Sequence, residues 1–383
     1  MNSSKMKKVL KVTVLTLGII LAILLLFVIS VVIKAELSYK NLERIDPEGA
    51  FYSIDYTGNY DSPLVSKMLN IFSGGCSAFL TENANGDIIT CRNYDFPHSD
   101  RDGNPSGLNV LVRCSPKGRY SSIGIADIGL LSVVGLPYYA GVLDSGKVST
   151  LPLMFAPYLC MDGINEKGLC VSILALDTKE GETAMYQTAE GKKRLMVNAV
   201  LRQLLDNCAT LEEAVKFTEN VNVVCTFGCD YHLFVSDASG QSAVFEWRFN
   251  DFTVTYTDAV TNFYVAYDDG CDCYSGGKLK DSFVTAENVS REYRYGYGHG
   301  YGRFKKLAET LEMHITDPDT LATSMTDEEA MNLLADVSQE YDPETMTSHT
   351  QYSVIYNNTE PSVSVCIMRD YENVYTFRIH PEH

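Results

Sequence analysis

The chain has 383 residues, 45% of them apolar and 11% aromatic, enough to bury the core of one large domain or two small ones. Acidic residues outnumber basic ones by 49 to 31, and a surface that acidic repels nucleic acid, so no nucleic-acid partner is expected. Excess acid also simply keeps a protein soluble. The eleven cysteines are spread too thinly for a disulfide scaffold.

Two cysteine pairs, Cys225/Cys229 and Cys271/Cys273, are close enough in sequence to form disulfides or to bind a metal. However, the chain has no pair of CxxC motifs, and its seven histidines are scattered. The sequence therefore predicts no metal and no cofactor.

An uncharged run at residues 12–33 follows a basic tail at residues 1–11 that carries four lysines. Twenty-two such residues can span a bilayer as a helix, whereas the apolar region of a secretory signal is usually shorter. The lysines favour a cytoplasmic amino terminus. We predict a single-pass signal-anchor in the cell membrane with an extracytoplasmic body; a long signal peptide and a buried core helix are the alternatives.

The mixed, polar residues 34–75 predict a linker or pro-segment with one helix near residues 65–72. Two strands, 77–82 and 87–91, then flank Asn85-Gly86, the strongest short hairpin signal. If those two residues form the turn, positions whose numbers add to 171 lie opposite each other. This register predicts Asp95 across from Cys76.

The remaining elements alternate between groups of strands and helices. Strands are predicted at 108–114, 121–125, 168–176, 231–236, 242–247, 252–257, 362–368 and 373–379, and helices at 192–207, 210–220, 303–313 and 326–340. The Gly/Tyr-rich residues 296–302 are interpreted as a flexible loop, because no strand precedes them as a dinucleotide loop requires. This grouping favours an α+β layered fold over a doubly wound parallel sheet.

Cys76 carries the chemistry if cleavage makes it an amino terminus. A free α-amine has a pKa of roughly 7.7–8.0, which suits a general base at neutral pH. Asp95 would orient that amine, and the Arg92 guanidinium would favour the thiolate. Arg92 would need a bulge near Asn93 to face the same site. The alternative is a small buried cysteine beside a structural Arg92–Asp95 ion pair.

Cys76-Ser-x-Phe, Gly86-Asp87 and Arg92-Asn-Tyr-Asp-Phe96 together resemble the opening of the choloylglycine hydrolase (linear amide C–N hydrolase) family of N-terminal-nucleophile enzymes. The resemblance includes the spacing from the nucleophilic Cys to the catalytic Arg and Asp. It continues to the carboxyl terminus through these further segments: residues 162–169, with Asn-Glu-x-Gly-Leu; Thr261-Asn262, the oxyanion segment; Gly302-Arg303-Phe304, with a second active-site Arg; and residues 347–357, which resemble the late strand pair of the family.

The resemblance implies a four-layer αββα fold for residues 76–383. The catalytic residues that it implies are Cys76, Arg92, Asp95, Asn262 and Arg303. It also implies hydrolysis of an N-acyl amide, such as a conjugated bile salt, a penicillin V-like compound or an N-acyl amino compound. A homo-oligomer is left open as a partner.

Two features depart from the simplest members of the family. Ala175 stands where many relatives carry a second polar oxyanion residue, so a backbone N–H near Ser77 is the expected substitute. The 75 residues before Cys76 make the chain more similar to acid ceramidase-type and penicillin acyltransferase-type relatives, which mature by autoproteolysis. Cleavage between Gly75 and Cys76 is therefore expected. An acyltransferase and an inactive, surface-tethered binding domain are the alternatives.

Overall fold

The computed structural model describes a defined set of residues. These are 26, 29–30, 33–46, 48, 50–60, 75–100, 102–132, 142–145, 147–176, 185–225, 230–266, 274–275, 278–279, 299–311, 324–341 and 348–380. Within these ranges no helix has both the length and the apolar character needed to cross a membrane. The span predicted at residues 12–33 lies outside the described residues except at 26, 29–30 and 33.

Two large sheets dominate the described part of the chain. The nine-stranded sheet contains β1 (Tyr39–Asp46), β2 (Phe51–Tyr56), β5 (Asn109–Cys114), β6 (Ser122–Asp127), β7 (Cys160–Asn165), β8 (Cys170–Leu176), β11 (Asp230–Ser236), β12 (Ser242–Arg248) and β13 (Asp251–Tyr256), in that spatial order. The seven-stranded sheet contains β3 (Cys76–Asn83), β4 (Ile88–Phe96), β14 (Ala259–Val260), β17 (Ser324–Met325), β18 (His349–Asn357), β19 (Ser362–Ile367) and β20 (Val374–Arg378). Two short pairs are β9 (Lys193–Met196) with β10 (Val221–Val224), and β15 (Tyr274–Ser275) with β16 (Lys278–Leu279).

The helices cover the outer faces of the two sheets. They are α1 (Val197–Asn207), α2 (Leu211–Glu219), α3 (His299–Thr310) and α4 (Asp327–Asp336), and 3₁₀ turns run over Ile128–Ser132, Val142–Ser145 and Lys147–Tyr158. Helix α1 packs on β7 and β8, whereas α4 packs on β18 and β4 and α3 packs on β3 and β14. Since β3 also contacts β8, the layers follow the order helix, sheet, sheet, helix. This agrees with the predicted α+β class.

Several elements match their sequence signals closely. Thr210 and Thr326 cap α2 and α4 by accepting a hydrogen bond from the backbone of Glu213 and Glu329, and the second cap is a complete capping box. The meander β11–β12–β13 also lies within one residue of its predicted bounds.

The hairpin that carries Cys76 has a different register from the predicted one. Its connection has three residues, and the last of them, Gly86, has a φ of 86°. A three-residue loop that ends in a left-handed glycine shifts the pairing by one position relative to a two-residue turn. Cys76 therefore lies opposite Tyr94, not Asp95. The expected bulge near Asn93 is absent from the β3–β4 ladder; the irregularity lies between Thr350 and Tyr352, where β18 pairs with β4.

The segment interpreted as a linker is part of the larger sheet. Residues 39–46 and 51–56 form β1 and β2, so the linker prediction is wrong for this stretch. The side chains of β1 are mostly polar and exposed, so its sequence resembles that of a linker. An edge strand can have such a sequence because little of it meets the core. The helix expected near residues 65–72 lies outside the described residues.

Two further elements differ from their predictions. The predicted helix at 192–207 begins only at Val197, because residues 193–196 pair as a parallel strand with β10. The predicted loop at 296–302 is helical from His299, where α3 begins; residues 296–298 lie outside the described residues.

Candidate active site

The five predicted site residues lie in one buried cluster around the start of β3. Their exposed fractions run from 0% to 7%: Cys76, Arg92, Asp95, Asn262 and Arg303. The hairpin β3–β4 supplies Cys76, Arg92 and Asp95. Asn262 follows shortly after β14, and Arg303 lies in α3. The Thr261 hydroxyl donates to the carbonyl of Gly300 at 2.7 Å, which fixes the start of α3 beside the end of β14. Residues distant in sequence thus meet at the start of β3.

The sulfur of Cys76 faces a buried guanidinium. Arg92 Nη2 lies 3.5 Å from Cys76 Sγ and also donates to the carbonyl of Ile173. Burial nevertheless raises the pKa of the Cys76 thiol, and the nearby Arg92 charge offsets that rise only in part. In the intact chain, burial therefore favours the neutral thiol, although Arg92 acts on it in the predicted direction.

Asp162 is a functional neighbour that the sequence analysis did not single out. Its carboxylate forms a fully buried ion pair with Arg92 Nη1. The hydroxyl of Tyr352 donates to the same carboxylate at 2.7 Å, and the hydroxyl of Tyr356 donates to its other oxygen. Asp162 opens the 162–169 segment noted above, but only the fold reveals that this strand faces Arg92. The carboxylate balances the guanidinium charge and sets its direction.

The carbonyl of Gly75 has its own donor. Asp95 N–H donates to Gly75 O at 2.9 Å, because these residues form the pair next to Cys76 and Tyr94 in the ladder. A Cβ at residue 75 would overlap the side-chain amide of Gln339. The position before Cys76 thus accommodates glycine best, with its carbonyl already bound by a backbone N–H.

The nitrogen of Cys76 is held by Asn262. Cys76 N–H donates to Asn262 Oδ1 at 2.8 Å, and Arg303 Nη2 donates to the same oxygen at 2.7 Å. Two donors on one atom identify it as the oxygen of the amide. Asn262 Nδ2 in turn donates to the carbonyl of Ala175 at 2.6 Å. In the intact chain, Asn262 therefore holds the Cys76 nitrogen, and one of its two N–H groups is committed to Ala175.

The carboxylate of Asp95 is linked to the backbone carbonyl of Cys76 through Arg303. Arg303 Nη1 donates to Cys76 O at 2.9 Å and to Asp95 Oδ2 at 3.2 Å. The Thr350 hydroxyl and the Gln339 amide also donate to the Asp95 carboxylate, at 2.6 and 2.9 Å. Burial raises the pKa of Asp95 to about 6, against the opposing effect of Arg303. The ladder between β3 and β4 has no bulge, so the carboxylate of Asp95 lies on the face of β4 opposite to Arg92. The predicted position of Asp95 across from Cys76 is therefore wrong.

Within the described residues, no group of three His, Cys, Asp or Glu side chains is placed to hold a metal ion. Three of the four cysteines considered for disulfides or metal binding, Cys229, Cys271 and Cys273, lie outside those residues.

Comparison with known proteins adds to this geometry. Residues 76–262 match the linear amide C–N hydrolases, choloylglycine hydrolase family. A penicillin V acylase of Pectobacterium atrosepticum is 35% identical over 94 residues, which are 22% of this chain and 24% of that protein. The chain thus matches only about a quarter of that curated relative.

Two variant structures of the conjugated bile acid hydrolase of Clostridium perfringens share the fold. Their TM-scores are 0.50 and 0.51 at 17% and 19% identity, and each match covers 79% of this chain and 92% of the other. The fold is therefore that of the N-terminal-nucleophile hydrolases. The enzyme class predicted from the sequence, hydrolysis of linear amides, is that of the family whose model residues 76–262 match. These residues, just under half of the chain, are therefore similar to the choloylglycine hydrolase family of linear amide C–N hydrolases.

Proposed function

We propose that this protein is a cysteine-dependent amidase that cleaves its own Gly75–Cys76 bond and then hydrolyses small N-acyl amides. The proposal depends on one observation: two features occur together at the Gly75–Cys76 bond. The Gly75 carbonyl accepts a backbone hydrogen bond from Asp95, and the thiol of the next residue lies beside Arg92. A buried structural cysteine would need neither.

The self-cleavage step follows from these contacts. Cys76 Sγ attacks the carbonyl carbon of Gly75, and the oxyanion that develops is stabilised by Asp95 N–H. The Gly75–Cys76 C–N bond breaks, a thioester forms, and the thiol proton passes to the departing nitrogen, which Asn262 Oδ1 holds. Water then hydrolyses the thioester, leaving a carboxylate on Gly75 and a free α-amine and thiol on Cys76.

The mature site would repeat the same chemistry on a substrate. The acyl group of an N-acyl amide takes the position that Gly75 has left, and its carbonyl oxygen accepts a hydrogen bond from Asp95 N–H. The N–H of Asn262 that does not bind Ala175 lies within the same site. The free α-amine accepts the thiol proton and returns it to the leaving amine. A water molecule completes the cycle by releasing the acid from Cys76.

The proposed substrates are uncharged at the scissile bond and small enough for a site between two sheets. Conjugated bile salts, penicillin V-like compounds and N-acyl amino compounds form this class, and the matched relatives are a penicillin V acylase and a conjugated bile acid hydrolase.

We place the catalytic body outside the cytoplasm, anchored by residues 12–33, because the lysines of the basic tail favour a cytoplasmic amino terminus.

A substrate panel tests the proposal. The purified protein is incubated with taurine- and glycine-conjugated bile salts, penicillin V and N-acyl amino acids, and the released primary amine is measured. Turnover of at least one member, abolished when the thiol is alkylated, is the expected result. Transfer of the acyl group to an added amine in place of water would instead favour the acyltransferase. No turnover of any member by self-cleaved protein would contradict the proposal.

The rate of self-cleavage should fall as the pH is lowered through about 6. Asp95 has a pKa raised to about 6, so below that pH its carboxyl becomes neutral and no longer holds Arg303 on Cys76 O. The intact chain has no α-amine at Cys76, so that group cannot produce the same loss. The measurement is the initial rate of fragment formation from pH 4.5 to 8 after refolding, corrected for the folded fraction by fluorescence of the buried Trp247.

A matched carboxyl provides the control. Asp258 also has a pKa raised to about 6 by burial, but its side chain contacts Ser242 and not Arg303. Asp258→Asn should keep the loss of rate near pH 6, whereas Asp95→Asn should cleave slowly at every pH. If Asp95→Asn kept both the wild-type rate and the acid limb, the assignment to Asp95 would be wrong.

A further inference from the structure

Residues 39–60, which we call the amino-terminal strand pair, precede the bond that self-cleavage would break. They comprise β1, residues 47–50, β2 and the four residues after β2. β2 pairs with β5 in parallel through six consecutive residue pairs, and β1 covers the outer edge of β2. A segment on the far side of the cleavage bond therefore completes the nine-stranded sheet of the catalytic body.

The apolar contacts of the strand pair are those of a core strand. The side chains of Phe51, Ile54 and Tyr56 are between 0% and 3% exposed. The ring of Phe51 lies 6.3 Å from that of Tyr375 and 6.1 Å from that of Phe377, both on β20 of the other sheet. The strand pair thus packs on both sheets, and its loss would expose aromatic surface on each.

Polar contacts fix the last described residue of the strand pair. The Tyr60 hydroxyl donates to the buried Asp206 carboxylate at 2.8 Å, and the Tyr158 hydroxyl donates to Tyr60 O at 2.6 Å. Arg202 Nε donates to the same oxygen of Asp206 at 2.9 Å, so Tyr60 joins a buried ion pair. Tyr56 adds a hydrogen bond of 2.7 Å from its hydroxyl to Met154 O.

None of these contacts depends on an intact Gly75–Cys76 bond. Fifteen positions separate Tyr60 from Gly75, and every contact named above involves residues 51–60. Dissociation of the strand pair would uncover the backbone of β5 along its whole length, and unpaired strand edges promote aggregation. The body therefore has a strong reason to keep this segment after cleavage.

We propose that the fragment ending at Gly75 remains bound as a second, non-covalent chain of the mature enzyme, with the amino-terminal strand pair as its docking element. The binding mode is β-augmentation, in which main-chain hydrogen bonds give affinity and side-chain pockets give specificity. The inference rests on the proposed self-cleavage for its occurrence in the native protein. It means that breaking the backbone does not separate the catalytic body from the residues that precede Cys76.

The test separates retention from self-cleavage. A full-length Cys76→Ala chain carries an affinity tag at its amino terminus and a glycine-serine loop with a specific protease sequence between residues 67 and 68. After proteolysis in detergent, the carboxy-terminal fragment should stay on the affinity resin through washing and elute only in denaturant. A tagged wild-type chain without the loop runs in parallel. An uncut wild-type chain would contradict self-cleavage alone, whereas loss of the fragment from the protease-cut chain would overturn retention.

Substitutions then locate the docking element. Phe51→Ala should speed dissociation of the cut chain about a hundredfold or more, because it empties a core position between both sheets. Tyr60→Phe keeps the ring and removes one buried hydrogen bond, so about a fivefold to tenfold increase is expected even if Phe51→Ala fails to fold. Leu42→Ala, on the exposed edge of β1, should change nothing. Equal dissociation rates for Leu42→Ala and Tyr60→Phe would contradict the assignment.

Discussion

A Cys76→Ala chain should run as one band of 383 residues on a denaturing gel, whereas the wild type should give fragments 1–75 and 76–383. Alanine has no nucleophile to attack the Gly75 carbonyl, so the bond that Asp95 N–H polarises stays intact. Amide turnover should fall on the order of 10⁴- to 10⁶-fold, as expected when a nucleophile is removed. Edman sequencing of the larger wild-type fragment should begin at Cys76.

The matched control is another buried cysteine of the same hairpin. Cys91 lies on β4, is fully buried, and has no contact with Gly75. Cys91→Ala should therefore cleave and turn over substrate like the wild type. Cleavage of Cys76→Ala at the same bond by the purified protein alone would refute the role of the thiol. A fragment that begins at another residue would refute the choice of bond.

Asp162→Asn should lower the free energy of unfolding by about 3–5 kcal/mol, the usual cost of leaving a buried charge without its partner. The substitution keeps the size of the side chain but removes the negative charge that Arg92 faces in a site with no exposed surface. It also removes an acceptor from the hydroxyls of Tyr352 and Tyr356. Urea unfolding in detergent, followed through Trp247 in the Cys76→Ala background, measures the change on a single continuous chain.

Asp336→Asn is the control for this measurement. Asp336 pairs with Lys306 at 3.2 Å, but both side chains are at least half exposed, so the loss should stay below about 1 kcal/mol. A loss for Asp162→Asn no larger than that of Asp336→Asn would show that Arg92 does not depend on Asp162. The local charge balance around Cys76 would then need another source.

The most informative residues of the site could be found from the sequence because they lie close together in it. Cys76, Arg92 and Asp95 fall within one hairpin, and a turn signal at Asn85-Gly86 brings its two strands together whatever the register. The register itself depended on whether the loop has two or three residues. A two-residue type I′ turn needs a positive φ at both Asn85 and Gly86, and of the two only Gly86 has one. The three-residue loop that results places Tyr94, and not Asp95, across from Cys76.

Residues that join the site through tertiary contacts gave no comparable signal. Gln339 and Thr350 hold the Asp95 carboxylate from two segments that come together only when α4 and β18 pack against β4. Asp162 reads as an ordinary polar residue until the fold shows that β7 faces Arg92. Their roles are set by sheet packing, which local patterns do not encode.

The strands of the amino-terminal strand pair were missed for a different reason. β1 is an edge strand with polar, outward-facing side chains, so neither alternation nor apolar content distinguishes it from a linker. β2 is apolar but short, and its partner β5 lies more than fifty residues further along the chain. A parallel pairing over that distance leaves no turn signal beside either strand.

The groups around the Gly75–Cys76 bond also fix when the bond can break. Arg303, which clamps the Cys76 carbonyl, lies 227 positions later in the chain. A ribosome adding roughly 5–20 residues per second needs on the order of ten to fifty seconds to reach it. Under the proposed self-cleavage, a nascent or misfolded chain would keep a continuous backbone, and a nick before Cys76 would mark a molecule whose two sheets have already closed on each other. Cleavage would thus serve as the protein's own record that assembly is complete.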